Sequence, residues 1–271
     1  MTDGNSFDSG SPLEYAIGKQ DRITMPAVRA AVEKGNGVLA YQPIVQASRT
    51  DRAAYFEGLI RIIDDTGRII PLKDFMPLAE RTELGRQIDC LSLGLGLRDL
   101  ANDPSLRLAV NMSARSISCP DWIRTLRQGL AQADVGERLI LEITESSAMG
   151  MPDQVHGFMR EVREHGISLA LDDFGAGYTS FRYLRDFCFD MIKIDGQFIR
   201  DIAQHADNQV LTRALMSIAH HFDMFTIAES VETAEDAAFL IEMGIDCLQG
   251  YYFGAPTIAP PWKNPPSVAR R

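Results

Sequence analysis

Five short apolar runs in this chain end, one after another, in a residue with a charged or amide head. Arg107–Val110 leads into Asn111, and Leu139–Leu141 into Glu142 and, three residues on, Glu145. Leu169–Leu171 leads into Asp172-Asp173, Met191-Ile192 into Lys193 and Asp195, and Phe225–Ala228 into Glu229. One such run means little. Five in series, separated by stretches with helical pattern, point to parallel strands whose C-terminal ends converge on one charged site, the active-site geometry of an α/β barrel.

The alternation predicts strands at 107–112, 138–143, 168–172, 189–194, 225–228 and 246–253. Helices are expected near 119–132, 153–166, 178–186, 206–222 and 233–243. Upstream, 38–41 and 53–63 read as two strands with only a short polar connection between them. That spacing predicts an antiparallel hairpin, because a parallel crossover needs a dozen or more residues. Residues 74–100 read as mostly helical. About eight strands suit a closed barrel better than an open sheet, and 271 residues suit one barrel domain. Residues 1–12 are expected to be disordered, 13–35 helical with a break at Pro26, 13–256 a single domain, and 257–271, with Pro265-Pro266 and a basic end, an extended peripheral tail.

The net charge of -10 argues against a binder of nucleic-acid polymers, which should carry a basic face. It leaves room for a phosphate-bearing substrate held through metal ions, whose own charge inverts the local logic. No signal peptide or membrane span is visible, and four scattered cysteines read as reduced thiols, so a cytoplasmic location is expected.

Glu142, Asp172, Asp173 and Glu229 lie at expected strand ends, with Asn111 beside them and Glu57 in the second early strand. Each alone has a plainer explanation: Asp-Asp before Phe-Gly is commonly a cap or turn, Glu142 and Glu229 rim charges, Asn111 a turn residue, Lys193 a lysine with a buried stem. Together they cannot share a cavity uncompensated, because like charges at short range raise one another's pKa. One or two divalent cations answer the problem. An all-oxygen donor set, with the five histidines assigned to helices or their edges, favours Mg²⁺ or Mn²⁺ over Zn²⁺. Asp173-Phe174-Gly175 looks like a kinase motif, but no catalytic loop of that kind precedes it. Gly175-Ala176-Gly177 lacks the rest of a nucleotide loop and is better read as a sharp bend.

The chain resembles the EAL-domain family of cyclic di-GMP phosphodiesterases over roughly residues 38–255. The likeness is carried by Tyr41-Gln42-Pro43-Ile44-Val45, Phe56-Glu57-Gly58-Leu59-Ile60-Arg61, Asn111-Met112-Ser113, Glu142-Ile143-Thr144-Glu145, Asp172 through Tyr178, Lys193-Ile194-Asp195, Ala228 through Glu232, and Gln249-Gly250-Tyr251. The resemblance implies a modified TIM-type (β/α)8 barrel with one antiparallel strand. It implies hydrolysis of one phosphodiester of cyclic di-GMP to linear pGpG with two Mg²⁺ or Mn²⁺ ions, and inhibition by Ca²⁺ is expected. By position, Glu57, Asn111, Glu142 and Asp172 match ligands of one metal, and Asp172 and Asp173, with Glu229 nearby, the second. Lys193 matches the residue that contacts the attacking water, by orienting it or, if its pKa is lowered, shuttling its proton. Glu145 matches the glutamate that holds the loop after Asp173. Arg61 matches a phosphate contact, Gln42 a contact near the guanine, and Gln249 a polar lining residue. A homodimer surface on the loop and helix after Asp173 is also implied. Three departures stand out: Gly58 replaces the signature alanine, Ser230 a common glycine, and the segment after Arg61 lacks the usual aromatic and His-Pro stretch. None removes a matched catalytic residue. No attached sensor or cyclase domain is expected, and regulation is expected from expression, oligomerisation or an external partner.

Overall fold

The computed structural model describes residues 24–131, 134–177, 184–185, 187–260 and 262–263. The sheet contains β1 (Gly37–Gln46), β2 (Arg49–Ile63), a two-residue β3 (Ile69–Ile70), β4 (Leu108–Asn111), β5 (Leu139–Thr144), β6 (Ser168–Phe174), β7 (Met191–Ile194), β8 (Phe225–Ala228) and β9 (Cys247–Gln249). Its order is β1-β9-β8-β7-β6-β5-β4-β2-β3, and β1 also pairs with β2, so eight strands close on themselves and β3 hangs outside. β1 is antiparallel to both neighbours, while β2 and β4 through β9 run parallel around the barrel. The predicted hairpin therefore supplies the one antiparallel strand of the barrel.

The register shows how the barrel closes. Asn111 faces Glu142, and Gln42 faces Glu57. At four of the eight interfaces, however, a mouth residue faces the residue two places below its counterpart: Glu57 faces Ala109, Glu142 faces Ala170, Lys193 faces Ile227, and Gln249 faces Ile44. Four slips of two residues in one direction make a shear of eight, the stagger of a TIM-type barrel.

Alternation along each strand then sorts the interior. Ile44, Tyr55, Ala109, Ile140, Ala170 and Ile227 form an apolar plug inside the barrel. Two residues nearer the mouth on the same strands stand Gln42, Glu57, Asn111, Glu142, Asp172 and Glu229. The residues between them, such as Val110, Leu141 and Leu171, face outward into the larger core under the helices.

That layer is built by the helix over 24–33 and the helices Glu83–Asn102, Pro120–Leu130, Pro152–Arg163, Ala206–His221 and Ala234–Met243. Thr82 and Thr233 cap two of them by accepting from the amides of Leu84 and Asp236. Three differences from expectation have local causes. Residues 24–33 stay helical through Pro26, and Val28, Ala31 and Val32 are buried against the barrel. The last strand stops at Gln249, because 250–253 turn back, with Phe253 and Gly254 donating to the Gly250 carbonyl. Short helices at Glu145–Gly150 and Gly196–Ile199 follow strand ends whose Thr144 and Asp195 side chains cap them. Residues 178–183 and 186, where most of one expected helix falls, lie outside the described residues, as do 1–23 and 264–271.

Candidate active site

Lys193, at the end of β7, stands at the centre of the mouth and is only 1% exposed. Its Nζ lies 2.7 Å from Glu229, 2.9 Å from Glu142, 3.1 Å from Asp172 and 3.3 Å from Glu57. Five expected site residues from five strands or strand ends thus meet at one ammonium group. Burial alone would lower the Lys193 pKa, but Asp172, Glu142, Glu229 and Glu57 outweigh it and hold it well above the ordinary lysine value. The lysine is a cation in this arrangement.

Glu57 is braced from two sides. Asn111 Nδ2 donates to its Oε1 at 2.7 Å and Gln249 Nε2 to its Oε2 at 2.6 Å. Burial raises this carboxyl, yet Lys193, Gln249 and Asn111 together bring it below the usual glutamate value. Gln42 joins the chain of amides, accepting from Gln249 at 3.2 Å and donating to the Gly254 carbonyl at 3.1 Å. Glu142 goes the other way: burial, then Glu57 and Asp172, overcome Lys193 and push it well up. Burial, opposed by Lys193 but aided by Asp172, pushes Glu229 to about 8.

Adjacent residues in a regular strand point to opposite faces, so Asp172 and Asp173 should not share a site. The ladder between β6 and β7 slips between Leu171 and Phe174, where three steps on β6 match two on β7. This bulge, with Asp173 at φ 55° and Gly175 at φ 93°, turns both carboxylates toward the mouth. Asp172, Asp173 and Glu229 then each offer an oxygen within 4.8 Å of the others. Burial and the Asp172 and Asp195 charges raise Asp173 to about 6. Glu145 reaches the same loop, accepting from the Gly175 amide at 2.9 Å.

The donor set fits a divalent cation. Glu142 Oε1 and Asp172 Oδ1 are buried and accept no hydrogen bond, the latter despite Lys193 at 3.1 Å. Buried carboxylate oxygens without donors fit hard cations that bind through oxygen.

Arg61 stands apart from this cluster. Its guanidinium donates to the Ile60 carbonyl at 3.0 Å and is close enough to Glu57 and Tyr251 to feel their charge. It is a rim residue of the mouth. Beside Asn111 opens a cavity of 790 Å³, whose lining includes Gly58, Met76, Asp89, Ser113, Arg115 and Ser147. Asp89 is a functional candidate that sequence reasoning missed. It accepts from the Ser113 amide at 2.8 Å and from Ser116 Oγ at 2.6 Å, and so fixes the turn after Asn111. Burial outweighs those bonds and raises it to about 6. The available signal was an acid beside Ile88 on the buried stripe of the helix Glu83–Asn102.

A charged mouth on the C-terminal side of a closed parallel barrel is where α/β-barrel enzymes keep their active sites. The chain belongs to the EAL domain family, whose model matches residues 25–256. It is 33% identical over 235 residues to cyclic di-GMP phosphodiesterase NbdA of Pseudomonas aeruginosa, covering 84% of this chain and 30% of NbdA. Among solved structures, the PaMucR phosphodiesterase in complex with c-di-GMP matches with a TM-score of 0.74 and 29% identity, over 86% of this chain and 96% of that one. The manganese and cy-diGMP complex of Klebsiella pneumoniae BlrP1 matches with a TM-score of 0.71 and 29% identity, over 82% of this chain and 56% of that one. The chain spans about a third of the length of the curated relatives it matches. No helix among the described residues is long and apolar enough to cross a membrane.

Proposed function

We propose that this domain hydrolyses one phosphodiester bond of cyclic di-GMP to linear pGpG, using Mg²⁺ or Mn²⁺. The observation that carries the reading is the bulge in β6, which aims Asp172 and Asp173 at the same point as Glu229 beside a lysine-centred ring of acids. A site kept only for binding an anionic dinucleotide has no use for so many carboxylates. When bound, two divalent ions would neutralise the phosphate, bring a water's pKa toward neutrality and stabilise the departing oxygen.

The chain's own residues have separable tasks. Glu57, Asn111, Glu142 and Asp172 would hold one ion, and Asp172 and Asp173, with Glu229 beside them, the second. Lys193, held among four carboxylates, would contact and orient the attacking water. Glu145 keeps Gly175, and with it Asp173, in place. Arg61 clamps the phosphate that does not react. Gln42 and Gln249 keep Glu57 at its angle, and Gln42 would contact the substrate near a guanine. The cavity beside Asn111 has room for one base.

The test is incubation of cyclic di-GMP with the purified chain in Mg²⁺, in Mn²⁺ and in EDTA, with products separated by chromatography. pGpG should form with either metal and not in EDTA; intact substrate after long incubation sinks the reading. The rival is a receptor that binds cyclic di-GMP without cleaving it, and the FimX EAL domain from Pseudomonas aeruginosa is a structural neighbour solved with c-di-GMP bound. Tight binding without turnover would favour it. Assembly as a homodimer through the region after Asp173 is a further part of the proposal, and sedimentation velocity checks it: a concentration-independent monomer refutes it.

A further inference from the structure

Beyond β9 the chain does not leave the barrel. Past the turn at 250–253 it returns along β1, where Thr257 and Tyr41 exchange both backbone hydrogen bonds, at 2.8 and 3.0 Å. β9 pairs with β1 only at Ile44–Gln46, so this segment takes the open place beside Tyr41. Trp262 then packs against Tyr41, with ring centroids 5.3 Å apart, and against Phe56 at 4.1 Å. Lys263 Nζ donates to Tyr41 Oη at 2.6 Å and to Asp99 Oδ2 at 3.0 Å, and sits 4.6 Å from the Tyr41 ring centre. The Tyr41 hydroxyl itself donates to Asp99, on the helix Glu83–Asn102. The described part of the expected peripheral tail is thus a strap across the outside of β1 and β2.

Its footholds are not arbitrary. Tyr41 and Phe56 are the outward neighbours of Gln42 and Glu57, which face each other across β1 and β2. Tyr41 faces Gly58, so the residue after Glu57 offers no side chain by which the core can grip β2. Because successive side chains alternate sides, the angle of Glu57 depends on what holds positions 56 and 58 from outside.

We propose that Trp262 and Lys263 are positioning residues that lock the β1–β2 pair at the register of Gln42 and Glu57, supplying the outer grip that Gly58 lacks. The strap rests on the proposed function only in taking Glu57 as a metal ligand. Manganese binding to the full chain, followed by loss of the free-ion electron paramagnetic resonance signal, reads this without turnover. Trp262→Ala should weaken Mn²⁺ binding about tenfold, the lower end for lost outer partners of metal ligands. Trp262→Phe should restore most of it. Lys263→Met, which leaves the ring packing, should weaken it less, and Gly58→Ala added to Trp262→Ala should recover part of the loss. Unchanged affinity in both Trp262→Ala and Lys263→Met, even with a lower melting temperature, overturns the proposal. If Trp262→Ala does not fold, Lys263→Met decides alone. A chain that binds Mn²⁺ but leaves cyclic di-GMP intact refutes the phosphodiesterase and spares the strap. If the unaltered chain binds no Mn²⁺, the side-chain amide resonances of Gln42 and Gln249 decide: they should shift in both variants, and unmoved resonances overturn the strap.

Discussion

Lys193→Met removes a buried cation from between four carboxylates at 2.7 to 3.3 Å. At an effective dielectric of about 20, each contact of ~3 Å is worth roughly 5 kcal/mol before desolvation is subtracted. Burying ions costs several kcal/mol each, and removing one partner of a buried pair leaves a net loss of about 3–5 kcal/mol. In a domain of this size that is a melting-point drop on the order of 10 °C. The drop should depend on pH with a definite sign. Glu229, at about 8, and Glu142, well above 4.5, have raised folded-state values, so the folded chain binds more protons than the unfolded one between those limits. Stability of the metal-free protein then falls as pH rises through that window. Without Lys193 the acids lose their counter-charge and the slope steepens. Calorimetric melts in EDTA should show a small difference between Lys193→Met and the unaltered chain at pH 5 and a large one at pH 8. Saturating Mn²⁺ should return part of the loss, about 2.7 kcal/mol at a hundred times the dissociation constant. A pH 8 melt within a degree or two of the unaltered chain, or an equal drop at both pH values, would refute the idea that this lysine compensates the acids.

Glu57→Ala or Asp172→Ala should abolish pGpG formation, and rates near those of the unaltered chain in the chromatographic assay would remove those residues from the site. Ca²⁺ should suppress turnover supported by Mg²⁺, since its longer and looser coordination misplaces the reacting groups; full turnover in Ca²⁺ alone would contradict a two-metal site. Ser230 sits at φ 56° and only grips Arg200 at 3.3 Å, so Ser230→Gly should stabilise by about 1 kcal/mol in urea unfolding. Destabilisation there would show that the Arg200 contact outweighs the strained backbone. At Gly58 an added methyl would meet Leu39 and Leu108 tips at 3.2 and 3.3 Å and the Ala109 carbonyl at 3.3 Å. Gly58→Ala should therefore shift unfolding by less than about 1 kcal/mol, the backbone gain offsetting the crowding; a larger loss would mean that the β2–β4 spacing cannot yield.

The sequence shows what is periodic and local, and the closed barrel is both. Most parallel strands repeat an apolar plug residue and, two places on, a mouth residue, so Ile140 and Glu142 or Ala170 and Asp172 announce their strand, its inner face and its polar end together. Closure and contacts across the mouth follow from shear, which no single segment carries. Gln249 lies 192 residues from Glu57, yet donates to it at 2.6 Å. From sequence its role reads only as lining, because nothing around Gln249 says which strand stands next to β9. The sign of the Lys193 shift is likewise hidden, since burial and four acids pull in opposite directions and only the distances decide between them. Asp173 shows the same limit at one position: alternation assigns it to the outside, and the single-residue bulge between Leu171 and Phe174 brings it in. The tail shows a limit of another kind. Pro265-Pro266 and the basic end dominate its composition, although Trp262, one of two tryptophans in the chain, is the residue with most apolar surface to bury. A large aromatic in a proline-rich stretch is therefore better read as an anchor whose partner lies elsewhere, here the outward faces of Tyr41 and Phe56.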